Sequence, residues 1–498
     1  MINHLPILIP LLFVLGALLV PLLGMFRQAA AFWVTVATMV LATAVSAYGL
    51  WFVAAEGAVA YTLGGWVQPI GIEYILDPLS AFMCALMSAV ALFVLIHARD
   101  LVPREMPGRE VPFYSVALLL LTGLTGIVLT GDLFNLFVFL EISSMANYAL
   151  VAIGDRRGPV AAFRYLILGT IGGSFYLLGV GFLFVETGSL NMRDLAMILP
   201  HLGDQPAVIA GLAMIVIGAG LKMALFPMHG WLPDAYTYAA SSSSALISAI
   251  GTKVAAYVMI RVLFFVFAAD YVSETLHFTD ILAWLGAIGI IVGSILAIAQ
   301  KELKRMLAYS SVGQVGYIAL GIGLASPLGL IGAMLHILNH AVMKACLFLV
   351  AGNLRMQVGH SDITRFDANL RKKMPWSMAA FALASLSMIG IPPLAGFFSK
   401  WYLALGAIEQ GQGVFVAVLV VSSLLNAVYF FRVLERMYLR TPEGEELPVE
   451  GSNLPVRTEV GFSMLMPTLV LAVGVLVIGL LNAIIVTQFI SGMIPLGL

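Results

Sequence analysis

The feature that most constrains this chain is the recurrence, from end to end, of apolar runs long enough to span a bilayer. A helix of about 20 residues crosses roughly 30 Å of hydrocarbon. Inside lipid, only helices and closed barrels satisfy their own backbone polar groups. Barrel strands would alternate in polarity over about ten residues, and that alternation is absent. Hydrophobic residues make up 61% of the chain and charged ones 10%, against about 25% charged in soluble domains. The expected fold is an all-α polytopic membrane protein. Fourteen spans are expected, near 5–23, 30–53, 75–97, 111–130, 132–153, 159–185, 206–227, 240–267, 279–299, 306–324, 328–352, 376–408, 413–437 and 460–490. The longest polar connections, 353–375 and 438–459, are loop-sized, so no soluble domain is expected.

The net charge of −1 implies neither a nucleic acid nor an acidic partner. Cys84 and Cys346 fall inside apolar runs and read as small core residues, which excludes a disulfide framework. The opening MINHLPILIP lacks a basic n-region, so the first run is expected to be a retained helix. Connections after odd-numbered spans hold Arg27; Arg99, Arg104, Arg109; Arg156, Arg157, Arg164; Lys301, Lys304, Arg305; Arg355, Arg365, Arg371, Lys372, Lys373; and Arg432, Arg436, Arg440, Arg457. The other side holds only Arg193. Positive charge collects on the cytoplasmic side. A multi-pass protein of the plasma (inner) membrane with both termini outside is therefore expected. Arg261, near a span end, is expected to snorkel.

The charges inside spans are the informative ones. GDLFNLFVFLEISSMANYAL, residues 131–150, places Glu141 among apolar side chains, and Lys222, Lys253, Lys344 and Lys400 lie in other spans. An isolated charge at mid-bilayer costs at least about 2.5–3.5 kcal/mol, so such residues face a bundle interior or a watery path. A structural ion pair accounts for only part of the set, because one carboxylate cannot neutralise every lysine. Burial disfavours the ammonium form, which suits a group that takes up and releases protons.

Two spans carry their own breaks. LKMALFPMHGWLPDAY has Pro227 and Pro233 around His229, and SMIGIPPLAGFFSKWY has Pro392 and Pro393 before Lys400. Proline removes a backbone donor and clashes with the preceding turn. A single break reads as a packing kink, but paired interrupted helices point to an ion site. HILNHAVMKACLF sets His336, His340 and Lys344 at i, i+4 and i+8, along one helical face. A His pair could ligate metal or haem, yet partners must come from another helix, and only His229 is available. Proton transfer through water fits better, and neither metal nor cofactor is expected.

GDLFNLFVFLEISS, LKMALFPMHGWLPDAY, KELKRMLAYSSVGQVGY, HILNHAVMKACLF and IPPLAGFFSKWY together resemble the antiporter-like family. It comprises Mrp-type cation/proton antiporter subunits, the large proton-pumping subunits of respiratory complex I and membrane-bound hydrogenase subunits. The resemblance covers nearly the whole chain, and the pattern is most similar to D-type Mrp subunits. It implies helices 1–3 over residues 1–110 and a first five-helix repeat, helices 4–8, over 111–267. A second, inverted repeat, helices 9–13, covers 279–440, helix 14 covers 460–490, and helices 7 and 12 are broken. It assigns proton translocation to Glu141, Lys222, Lys253, His336, His340, Lys344 and Lys400, with Asp132 as a candidate ion-access group.

The function implied is that of a transporter subunit, not an enzyme. It would exchange Na⁺, with K⁺ or Li⁺ as alternatives, for H⁺, beside A-, B-, C-, E-, F- and G-type Mrp subunits in the lipid bilayer. The alternative is a proton-pumping membrane subunit of a complex I-like NADH:quinone oxidoreductase or a membrane-bound hydrogenase. Lys400 disfavours the complex I M-type subunit, and the chain length disfavours its L-type and the Mrp A-type. The complex I N-type also carries lysine there. One departure is the missing proline near Ala240, which leaves the helix 7–8 turn open.

Overall fold

The computed structural model describes residues 2–203, 205–440, 459–495 and 497–498. Arg457 and most of the 438–459 connection lie outside the described residues. Among the described residues, twelve helices are long and apolar enough to span a membrane: 1 (Leu5–Gly24), 2 (Gln28–Glu56), 3 (Pro78–Glu105), 4 (Glu110–Leu129), 5 (Leu133–Ala152), 6 (Gly158–Thr187), 7a (Pro206–Met223), 8 (Ser241–Val266), 9 (Phe278–Ile298), 11 (Pro327–Val358), 13 (Gly413–Tyr438) and 14 (Phe462–Leu480). Helix 10, Leu303–Gly323, and a split helix 12 complete the expected set. Helix 12 consists of 12a, Pro375–Ile389, and 12b, Ala395–Glu409. Helix 7 breaks after 7a and resumes as 7b, Leu232–Tyr238. Helix 10 is less apolar, carrying Lys304, Ser310, Ser311 and Gln314, yet all four are buried against protein.

Several helices overrun the expected spans. Helix 3 reaches Glu105 and helix 11 reaches Val358, because hydropathy marks the hydrocarbon thickness while the hydrogen-bonded helix continues past it. Arg99, Arg104, Arg164, Lys304, Arg305, Arg355, Arg432 and Arg436 therefore belong to helix ends, not connections. Helix 3 also starts later than expected. Asp77 caps it by accepting from the Ser80 N–H at 2.9 Å, and Pro78 follows. The residues before it, Glu73–Leu76, pair antiparallel with Val59–Thr62 in a small hairpin that the span reading missed.

The inverted repeat is visible in the hydrogen bonds. At the start of helix 5, Leu133 N–H donates to the Leu190 carbonyl at 2.9 Å and Met192 N–H to that of Gly131 at 2.8 Å. At the start of helix 10, Leu303 N–H donates to the Ser361 carbonyl and Ile363 N–H to that of Lys301, both at 2.8 Å. Each clamp joins the second helix of its repeat to the segment after the third. Helices 5 and 10 are an odd number of spans apart, so the two clamps lie on opposite faces.

Small residues set the closest helix pairs, as expected where lipid supplies no hydrophobic drive between helices. A Cβ on Gly218 of helix 7a would stand 2.6 Å from the Gly172 carbonyl oxygen of helix 6. Between helices 9 and 10, a Cβ on Gly286 would lie 2.8 Å from the Gly316 oxygen, and one on Gly316 2.6 Å from the Gly286 oxygen. Gly286→Leu should therefore lower the thermal unfolding midpoint in detergent, with overpacking of about 1–3 kcal/mol or more. Gly181→Leu, on a helix 6 position with nothing within 4 Å, should leave the midpoint near wild type. Equal midpoints for the two variants would refute this account of the packing.

Candidate functional site

The buried charges begin on helix 5. Glu141 Oε1 lies 3.8 Å from Lys222 Nζ, with the side chains 28% and 9% exposed. Lys222 also donates to Ser144 Oγ at 2.6 Å. Gly173 of helix 6 leaves room for the carboxylate, since a Cβ there would stand 2.5 Å from Oε1. Lys222 sits one residue before the end of helix 7a, where Ala224 turns to φ 62°. Trp231 Nε1 donates to the Leu221 carbonyl at 2.9 Å and so satisfies one backbone group freed by the break.

A cavity of about 40 Å³ beside Lys222 is lined by Ser143, Ser144, Asn147 and Thr252 among others. A water needs roughly 10–15 Å³ on this measure, so the space admits a short water file. Asn147 Oδ1 and Thr252 Oγ1 have no hydrogen-bond partner among the described residues. Thr252 adjoins Lys253, which is buried and donates through Nζ to the Ser248 carbonyl. Ser248 belongs to a π-turn, Ile247–Gly251, an irregularity frequent at functional positions.

That π-turn packs on helix 11. His340 is buried there, and neither ring nitrogen has a hydrogen-bond partner among the described residues. Its ring stacks on His336 with centroids 5.9 Å apart. His336 meets Gln314 Oε1 through Nε2 at 3.0 Å and Ser399 Oγ through Nδ1 at 2.9 Å. With Gln314 Oε1 accepting from Nε2–H, Nδ1 is left to accept from the serine hydroxyl. Lys344 donates to the Leu307 carbonyl at 2.7 Å and to Ser310 Oγ at 3.0 Å.

Lys400 ends the series. It rises from helix 12b and reaches back to the last carbonyls of helix 12a, Met388 at 3.1 Å and Ile389 at 2.9 Å. Ser423 Oγ lies 3.2 Å from Nζ, and the Tyr317 ring centroid 4.9 Å. Gly390, at φ 98°, lies over the stem, and a Cβ there would be 3.2 Å from Lys400 Cδ.

Other expected residues are not drawn into this series. Asp132 caps helix 5, accepting from the Asn135 N–H at 2.6 Å, and belongs to the clamp with Asn191. His229 lies half-buried in the helix 7 break, stacked on Phe226 at 5.6 Å and away from the helix 11 pair. Pro227, Pro392 and Pro393 form the exposed rims of the two breaks, and Pro233 lies in the first turn of helix 7b. Ala239 and Ala240 take φ −63° and −56°, values natural to proline, so the departure near Ala240 leaves a proline-compatible turn.

Two cations differ from expectation. Arg261 does not snorkel; it pairs bidentately with Asp77 at 2.6 and 2.8 Å, because Asp77 at the cap of helix 3 lies within reach. Lys304, expected in a connection, is buried in the first turn of helix 10 and donates to the Ala239 carbonyl at the end of helix 7b.

A polar chain escaped sequence reasoning altogether. Tyr429 OH donates to Asn426 Oδ1 and meets Ser310 Oγ, both at 3.0 Å. Asn426 Nδ2 donates to Tyr317 OH at 3.3 Å, and that hydroxyl meets Ser422 Oγ at 2.6 Å. These residues are unremarkable singly and are divided between helices 10 and 13. The available signals were the polar stripe AYSSVGQ in helix 10 and Asn426 with Tyr429 at i, i+3 in helix 13. Among the described residues, no group of three or more His, Cys, Asp or Glu is placed to hold a metal ion.

The sequence profile of the family described as "NADH:quinone oxidoreductase/Mrp antiporter, TM" matches residues 130–426. The chain belongs to this family. A relative named NADH-quinone oxidoreductase subunit N, from Desulforudis audaxviator, is 50% identical over 99% of both chains. A Staphylococcus aureus protein named putative antiporter subunit mnhD2 is 33% identical over 88% of this chain and 86% of its own. Among solved structures, one from the archaeal membrane-bound sulfane sulfur reductase superposes with TM-score 0.88 at 30% identity, covering 98% of this chain and 97% of that one. One from the Mrp complex of Dietzia sp. DQ12-45-1b also gives 0.88, at 24% identity and 99% and 96% coverage, a likeness of fold. The chain is thus an antiporter-like membrane subunit of the kind found in Mrp and complex I-like complexes.

The cradle around Lys400 generates a test. Its ammonium fits under Gly390 against two carbonyls, whereas a guanidinium is larger and never releases its proton. Lys400→Arg should reduce proton flux to about the level of Lys400→Ala, in complexes whose assembly is verified by size-exclusion chromatography. Near-normal flux in the arginine variant would show that Lys400 need not change charge.

Proposed function

We propose that this chain carries protons across the membrane as one subunit of a larger complex, through Glu141, Lys222, Lys253, Lys344, His340, His336 and Lys400. The supporting observation is the series of ionisable side chains inside the spans from helix 5 to helix 12, linked by the small cavity, the His336–His340 stack and the polar chain. With Glu141 ionised 3.8 Å away, Lys222 holds its proton. When that pair weakens, the proton moves through the Thr252 side of the cavity towards Lys253. His340 and His336 then pass charge on to the Lys400 cradle. Each charge that crosses is worth about 2.3 kcal/mol per 100 mV, so the complex must couple the path to a driving process.

A partner subunit follows from Glu141 itself. Its side chain is 28% exposed on a face where Phe134, Val138, Ile142 and Met145 are also exposed. Lipid solvates a carboxylate poorly, so another membrane subunit is the fitting cover. On this reading the two five-helix repeats, 111–267 and 279–440, are the two halves of the path, and Asp132 serves at one of its outer mouths. The basic face is cytoplasmic, with both termini outside the plasma membrane.

Two drivers fit the same path. The sodium-exchange reading rests on the motifs and the mnhD2-named relative, at 33% over 88% of the chain. The redox-linked reading rests on the relative named for NADH-quinone oxidoreductase, at 50% over 99%, and carries more weight on similarity. The redox centres would then belong to partner subunits. Inverted vesicles holding the intact complex separate the two: proton uptake driven by an imposed Na⁺ gradient supports exchange, and uptake that needs an electron donor supports the redox form.

In whichever assay is active, Glu141→Ala should nearly abolish proton movement, and Glu141→Gln should match it because the charge is what matters. The pair is loose and Glu141 is partly exposed, so only a modest lowering of the unfolding midpoint is expected. Wild-type flux in an assembled Glu141→Gln complex would overturn the proposed path.

A further inference from the structure

On the arginine-rich face, helices 6, 7b and 10 enclose a pocket of about 410 Å³ that the proton path does not use, lined by Arg157, Val160, Ala161, Arg164, Asp234, Tyr238 and Arg305. Asp234 and Tyr238 project from one side of helix 7b at i, i+4. Asp234 is shared by two guanidiniums, Arg164 at 2.7 Å and Arg305 at 3.0 Å. Arg157, at the start of helix 6, contacts Tyr238 OH at 3.2 Å and lies over its ring at 5.8 Å. Three guanidiniums thus face one carboxylate, which leaves the pocket a formal excess of two positive charges.

The surroundings are as telling as the charge. Val160, which lines the pocket, is 57% exposed, and Phe163 is 63% exposed beside it. Ile167 and Ile171 continue an exposed apolar strip along helix 6. A soluble anion would use the arginines alone; a lipid would use both parts. Basic pockets between transmembrane helices suit anionic lipid headgroups, and a guanidinium fork matches phosphate oxygens.

We infer that this pocket binds the phosphate of an anionic phospholipid whose acyl chains lie along helix 6. Among the described residues Arg157 has no carboxylate partner, so its guanidinium, resting on Tyr238, offers its remaining N–H groups to the phosphate. Arg164 and Arg305, held by Asp234, keep their positions and lend charge.

The test uses the intact complex purified in mild detergent and reconstituted in nanodiscs with equal phosphatidylglycerol and phosphatidylcholine. Lipid retained after delipidation is counted by native mass spectrometry. Wild type should retain phosphatidylglycerol over phosphatidylcholine, and Arg157→Gln should weaken that preference about fivefold, the weight of one basic residue at an anionic surface. Arg157→Lys should keep most of it, and both variants leave the Asp234 pairs in place, so folding is not at stake. Inorganic phosphate at millimolar concentration should not displace the lipid. Displacement by phosphate would assign the pocket to a soluble anion and overturn the lipid proposal. Equal retention of both lipids, an Arg157→Gln complex with unchanged preference, or a partner subunit cross-linking to residue 157 would overturn it too.

Discussion

The structure depends on one constraint: inside a bilayer, every backbone polar group and every charge must find its partner within protein. Buried lysines and irregular helices answer that demand together. Lys400 takes the last carbonyls of helix 12a, Lys253 a carbonyl of the helix 8 π-turn, and Lys304 the carbonyl that ends helix 7b. An ammonium has three donors and no acceptor, so it suits places where a helix stops donating to its own carbonyls. Straightening those helices would strand the lysines, and removing the lysines would leave carbonyls in need of water.

This reciprocity explains the placement of the breaks. The helix 7 break follows Lys222 by two residues and is closed from beyond by Trp231 on the Leu221 carbonyl. The helix 12 break precedes Lys400, which bridges it. Glu141 is the exception among the charges, since its pair with Lys222 at 3.8 Å is looser than a direct hydrogen bond. A loose pair at a partly exposed position can be modulated from outside the chain, which a bonded cap such as Asp132 cannot.

The inverted repeat imposes a second kind of order. The clamps at Asp132 with Asn191 and at Glu302 with Asp362 fasten equivalent helices at opposite faces. Between them, the glycine-lined approaches of helices 6 with 7a and 9 with 10 hold the backbones close. The polar chain through Ser310, Tyr429, Asn426 and Tyr317 then links the environment of Lys344 to that of Lys400. Asparagine within it accepts and donates at fixed atoms, so the chain orients its hydroxyls while the histidine face offers the titratable groups.

The spans, the two proline breaks and the ionisable residues within the spans, Glu141, Lys222, Lys253, His336, His340, Lys344 and Lys400, were legible in the residues alone. Hydrophobic length and charge in a low dielectric are one-dimensional constraints that each segment must meet by itself. Tertiary structure decided what depends on distance between helices. It turned Arg261 from a snorkelling cation into the partner of Asp77, and Lys304 from a connection residue into a buried cap. It gave Asp132 a capping role and joined the polar side chains of helix 10 to those of helix 13, a pairing that no spacing within either helix announces. A charge announces itself wherever the chain is apolar, but a hydrogen-bond partner is fixed only when two helices meet.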